Sequence, residues 1–278
     1  MSREDQINRL ERMAKRMRLR ALKMALDAGN NGAHLGPAMS CMEILAVLYG
    51  DVMRFNTADP EWDERDRLMV SKAHCVLAYY TALAEAGFLS DSELDTFEKN
   101  GTCLAGHPAV DLAKGIEYSG GSLGQALPVS VGMAIDAKQR GRQHKVYVLL
   151  GDGECDEGSN WEAFMAAAHF RLDNLVVILD KNQLQYDGPT EEIMKLGDMG
   201  AKMNAFGWLV TEVDGHKIGE LLNAFAVSAA NQPHMIIANT VKGRGVSFME
   251  SVREWHHARL TLQQYEAAVA EIEAGGGR

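Results

Sequence analysis

The chain has 278 residues, 46% of them hydrophobic and 24% charged, with 28 Lys and Arg against 38 Asp and Glu for a net charge of −10. This is an ordinary globular profile, long enough for one large α/β domain, and its acidic balance argues against nucleic acid, whose phosphates need a basic face. No uncharged apolar run approaches the roughly 20 residues that cross a bilayer, and the start, MSREDQINRLERMAKRMRLR, is neither a signal peptide nor acid-poor like a transit peptide. The four cysteines (Cys41, Cys75, Cys103, Cys155) lack CxxC spacing, so a reduced cytoplasmic compartment without structural zinc is expected.

In chain order, the helical period predicts helices over roughly Asp5–Ala28 and Ala38–Val52. Between them lies the loop Gly29–Pro37, where Gly and Asn permit positive φ and Pro37 disfavours helix before it. A short strand at Arg67–Ser71 leads through Lys72-Ala73-His74 into a helix over Val76–Ala86. A loop-rich stretch, Asn100–Gln125, ends in the glycine cluster Gly120–Gln125. That cluster opens a helix over Ala126–Arg140 and leaves backbone N–H groups free for an anion.

The next unit carries the chemistry. Lys145–Leu150 reads as a buried strand, Ser159–Arg171 as a helix and Leu175–Asp180 as a second strand, a βαβ unit that is parallel and right-handed. Asp152, in Gly151-Asp152-Gly153-Glu154, then follows the carboxyl end of one strand, and Asn182 follows that of its neighbour. Open α/β sheets bind ligands in this crevice. A carboxylate and an amide oxygen converging there, flanked by glycines, suit a Mg²⁺ that keeps its other positions for a diphosphate. A long loop (Gln183–Met199), a short helix, a strand at Trp208–Val213, a helix at Ile218–Ala230 and a strand at His234–Thr240 complete the alternation. The expected fold is α/β, a mostly parallel sheet with helices on both faces, in a single domain over 1–278. The terminal Ala274–Arg278 is expected to fray.

Four of the nine histidines, His34, His74, His107 and His256, stand in turns marked GAHLGP, SKAH, AGHP and EWHH. Each alone reads as a structural histidine with one hydrogen-bond partner. Together around a diphosphate they form a set of imidazoles able to orient hydroxyls and carry protons.

These motifs, with SGGSLGQ (119–125), GDGECDEG (151–158), DKNQLQ (180–185) and KGRGVSFME (242–250), run nearly end to end. The chain resembles the N-terminal, diphosphate-binding part of transketolase, a thiamine diphosphate enzyme that moves two-carbon ketol units between sugars. The resemblance implies metal ligation by Asp152, Asn182 and the Leu184 carbonyl, with Mg²⁺ expected and Ca²⁺ or Mn²⁺ as alternatives. It implies that His74, Gly153 and His256 neighbour the diphosphate and that Gly121 and Leu123 approach the cofactor rings. His34, His107 and His256 would face substrate. Glu157 and Glu162 would join a glutamate network at the subunit interface, although Ser159 and Glu162 also have capping-box spacing. Ala73, Cys75, Ala126 and His257 depart from the family pattern, the last standing where glycine is common. The pyrimidine-binding and C-terminal domains, with the glutamate that activates the cofactor, are not in the sequence. A separate C-terminal subunit is therefore expected, in an α2β2 heterotetramer of carbohydrate metabolism acting on sugars or sugar phosphates.

Three other readings fit less well. The α chain of a 2-oxo acid dehydrogenase shares GDG…N, but its histidine motifs differ. A Ca²⁺-binding module fails because Glu157 and Ala163 occupy the positions where an EF-hand loop needs Gly and Glu. An inactive structural or regulatory homologue sits badly with intact ligand and histidine motifs.

Overall fold

The structure, a computed structural model, describes residues 2–275; of the fraying expected over Ala274–Arg278, residues 276–278 lie outside the described residues, while the Ala274 N–H still donates to the Ala270 carbonyl at 3.0 Å. The sheet has five parallel strands, β1 (Arg67–Val70), β2 (Val146–Gly151), β3 (Leu175–Lys181), β4 (Leu209–Asp214) and β5 (His234–Asn239), in the order β1-β2-β3-β5-β4. β5 inserts between β3 and β4, which leaves β4 at an edge and half-buried.

The central strands are continuous apolar runs because both faces are covered. Tyr147, Leu149, Val176, Ile178 and Ile236 face one core, whereas Val146, Val148, Leu150, Val177, Leu179 and Ile237 face the other. The first core is closed by α1 (Arg3–Asp27), α2 (Leu35–Met39), α3 (Met42–Val47), α4 (Val76–Ala86) and, later in the chain, α10 (Ile218–Ala226) and α11 (Leu262–Glu273). The second is closed by α6 (Ala126–Gln139), α7 (Gly158–His169) and α9 (Met199–Phe206). Two four-residue helices, α5 (Asp91–Leu94) and α8 (Thr190–Ile193), lie in the connections. No helix among the described residues is long and apolar enough to cross a membrane.

One expected helix, Ala38–Val52, is corrected. It starts earlier, at Leu35, with Pro37 inside the first turn of α2, where its missing N–H is not needed. It breaks at Ser40–Cys41 and ends as a π turn over Leu48–Val52. The break lets the Ser40 hydroxyl reach Asp180 at 2.6 Å.

Candidate active site

Adjacent strands deliver the site from their carboxyl ends. β1 runs into Ser71, Lys72 and His74, β2 into Asp152, β3 into Asp180 and Asn182, and β5 into Thr240 and Lys242. Beneath the crevice lies a charged network. Lys72 and Asp180, 1% and 0% exposed, form a buried ion pair. The Lys72 ammonium also donates to the Pro37 carbonyl at 3.0 Å. Ser40 and Thr240 donate their hydroxyls to Asp180, and the Asn182 amide donates to it at 3.3 Å. Burial opposes both charges, yet each partner overrides it in the other, raising the Lys72 ammonium and lowering the Asp180 carboxyl from their usual ranges.

Above this network, the Asp152 carboxylate accepts from the Gln183 N–H at 2.5 Å and from the Gly153 N–H at 2.8 Å. Burial and then the nearby Asp180 charge push its carboxyl up to about 6. A divalent cation would relieve that cost. The Asn182 side-chain oxygen accepts from the Leu184 N–H at 3.1 Å, and the Leu184 carbonyl accepts from the Lys242 ammonium at 2.6 Å. The three oxygens assigned from the sequence are thus tied into one turn. The donor set is one carboxylate with amide and peptide oxygens, all hard ligands of the kind Mg²⁺ or Ca²⁺ takes. A β-carbon on Gly153 would stand 2.7 Å from the Gln185 side chain, so glycine is needed there.

The four singled-out histidines converge from separate segments. The His34 ring centroid lies 5.8 Å from His74, 5.4 Å from His107 and 5.6 Å from His256, and His74 stacks on His256 at 5.1 Å. Burial, followed by neighbouring imidazoles and Lys242, lowers His34 to about 3. Burial and then Lys242 lower His256 to about 3, and burial with Lys72 pushes His74 well below its usual value. Burial thus favours the neutral form of His34, His74 and His256. His256 Nδ1 lies 2.9 Å from the Lys242 ammonium, which can only donate, so the ring proton sits on Nε2. Gly121, at φ +142°, borders His107, and Leu123 is half-buried in the turn before α6.

Glu157 and Glu162 are exposed around the start of α7. The capping box expected from Ser159 and Glu162 does not form. The helix starts at Gly158, and the Ser159 hydroxyl donates instead to the Gly124 carbonyl at 2.6 Å. Glu154 accepts from Ser71 and from the N–H groups of Gly124 and Gly151, at 3.0 and 3.1 Å, pinning the glycine loop to the turn that carries Asp152.

Sequence reasoning gave no role to Lys72, Lys242, Asp180, Ser40, Thr240, Glu154 or Tyr186, whose ring edges onto His256 at 5.2 Å. A signal was present for the lysines. A lysine just past an apolar strand can be buried with its ammonium, which must then find an anion or a carbonyl, although Lys181 at the end of β3 reaches the surface instead.

Residues 11–274 match the transketolase thiamine diphosphate binding domain. The chain belongs to the transketolase family. It is 42% identical over 269 residues to one subunit of an apulose-4-phosphate transketolase of Phocaeicola vulgatus, covering 96% of this chain and 95% of that one. It is also 42% identical over 245 residues to a 6-deoxy-6-sulfo-D-fructose transketolase subunit of a Clostridium species, covering 87% and 89%. The crystal structure of Campylobacter jejuni transketolase superposes with a TM-score of 0.90 at 28% identity over 98% of this chain, which spans only 43% of that longer protein.

Proposed function

We propose that this chain is the diphosphate-binding subunit of a two-component transketolase, transferring a two-carbon ketol unit from a ketose to an aldose. The observation that carries this reading is the convergence of four imidazoles over a turn of oxygen donors. A metal-diphosphate site alone would serve many reactions, whereas neutral histidines beside it suit substrates rich in hydroxyls. Asp152, Asn182 and the Leu184 carbonyl would hold Mg²⁺, with Lys242 giving up its bond to that carbonyl. His74 and His256 would neighbour the diphosphate, and Gly121 and Leu123 the cofactor rings.

Thiamine diphosphate, when bound, supplies the electron sink for breaking and remaking a carbon–carbon bond beside a carbonyl. This chain's residues handle protons and position. His34 and His107 accept and return protons at substrate hydroxyls, and burial keeps the His34 ring in the neutral form that can accept. His256 presents its Nε2–H as a donor, fixed by Lys242 behind it.

The partner would be a second chain carrying the pyrimidine-binding and C-terminal domains, in an α2β2 assembly. Two features support this: the relatives described as subunits match this chain along nearly their whole length, and α7 exposes Glu162 and Met165, one turn apart, with Glu157 exposed at its N-cap. The two relatives are named for different ketoses at equal identity to this chain, so their likeness does not choose the donor. A ketose phosphate or otherwise modified ketose is the class proposed. The test is to purify the chain, mix it with its companion, and assay ketol transfer with thiamine diphosphate and Mg²⁺. Activity only in the mixture is expected. Full activity from this chain alone would refute the two-component reading.

A further inference from the structure

A fifth imidazole joins the cluster without a role. The His257 ring lies 4.5 Å from that of His34 in an edge-on arrangement, the shortest of the five ring contacts within the histidine cluster. Its place is fixed by backbone. Ala33 and Ala258 exchange both N–H···O bonds, at 2.9 and 3.1 Å, so the residues flanking this bridge, His34 and His257, stand side by side. Gly32 makes room for the ring. It adopts φ +70°, and a β-carbon there would come within 3.0 Å of His257 Cε1.

His34, His74 and His256 are half-buried, whereas His257, like His107, is exposed, and among the described residues its ring nitrogens make no hydrogen bond. From the metal turn the contacts run through Leu184, Lys242 and His256 to His34, and then to His257 at the outer rim. A polar ring held by backbone pairing, with free nitrogens next to a residue that faces substrate, is placed to read a ligand.

We propose that His257 is a specificity-determining residue that hydrogen-bonds an acceptor hydroxyl lying beyond the carbon next to the reacting carbonyl. The inference rests on the transketolase reading above and extends it to the choice of acceptor. A two-carbon acceptor such as glycolaldehyde has no such hydroxyl, whereas four- and five-carbon aldoses do. In a ping-pong transfer, kcat/KM for the acceptor reports only the acceptor half-reaction, so donor effects drop out.

The experiment uses the assembled complex with thiamine diphosphate and Mg²⁺, comparing wild type with His257→Phe and His257→Gln. Phenylalanine keeps the ring volume and removes the nitrogens, whereas glutamine restores a hydrogen-bonding group. The ratio of kcat/KM for a five-carbon aldose to that for glycolaldehyde should fall about five- to tenfold in His257→Phe, the size of one net hydrogen bond. It should recover in part in His257→Gln, with cofactor affinity, followed by calorimetry, the same in all three proteins. An unchanged ratio in an active complex, or a fall matched by weaker cofactor binding, would overturn the assignment. A wild-type complex inactive with every acceptor would overturn the functional proposal, and this inference with it.

Discussion

Replacing Lys72 by Met tests the charged network under the site. The change roughly keeps the volume of the side chain but leaves the Asp180 carboxylate, 0% exposed, with only neutral donors from Ser40, Thr240 and Asn182. Removing one partner of a buried ion pair costs about 3–5 kcal/mol, because the remaining charge is left uncompensated. Asp180→Asn should cost a similar amount by stranding the Lys72 ammonium against Pro37 and Ser40. The double variant has no buried charge to strand, so its loss should be about 2–3 kcal/mol smaller than the sum of the two single losses. Urea denaturation of the four proteins, followed by far-UV circular dichroism at pH 7.5, measures this. The pH dependence adds a check of sign. In wild type the depressed Asp180 carboxyl contributes stability that is present above the unfolded value near 4 and lost only as pH falls through the lower folded value. Without Lys72, burial raises that carboxyl, so the variant's deficit should shrink as pH drops from 7.5 towards 5. Additive losses, or single variants within about 1 kcal/mol of wild type, would refute the account.

Asp152→Ala should abolish Mg²⁺-dependent binding of thiamine diphosphate while the fold survives; unchanged affinity by calorimetry would count decisively against Asp152 as a ligand. His107→Ala should lower kcat and kcat/KM together with nearly intact cofactor affinity, the pattern of an interaction made in the transition state; a defect confined to cofactor binding would move His107 out of the substrate shell. Glu157→Ala should weaken assembly more than it weakens Mg²⁺ binding, read by mass photometry with and without the companion chain, and the reverse result would make Glu157 a local residue of the metal turn. Burial and then Lys145 lower His234 to about 4 from 6.5, so the unfolded chain binds more protons between those values. Its contribution, about 2–3 kcal/mol, is complete above pH 6.5 and lost towards pH 4. Urea midpoints at pH 7.5 and 5 should therefore differ less in His234→Gln than in wild type.

Local pattern determined much of this protein. The apolar runs that became β2, β3 and β5, the helix over Val76–Ala86 and the glycine-marked turns were legible because period and turn chemistry act over a few residues. So was the meeting of Asp152 with the turn after Asn182, since a right-handed βαβ unit leaves its strand ends adjacent. Capping signals were less reliable. Thr261 with Gln264 and Ser90 with Glu93 form true capping boxes, on α11 and α5, two helices the periodicity reading passed over. Ser159 with Glu162 has the same spacing but forms none, because the Gly124 carbonyl, brought in from another segment, takes the serine hydroxyl.

Tertiary structure alone decided the rest. Nothing local places β5 between β3 and β4, and that insertion carries Thr240 and Lys242 to the site. Lys72 and Asp180 are 108 positions apart, and each looks like an ordinary charged residue until the sheet buries both ends. The helix break falls at Cys41, next to Ser40, whose hydroxyl donates to the same Asp180, a partner 140 positions away that no local signal names. His257 has no motif of its own beyond its neighbour, and only the pairing of Ala33 with Ala258 sets it against His34. Sequence periodicity encodes which face of an element is buried, but the partner of a buried polar group is chosen by non-local packing, and the site is built from such partners.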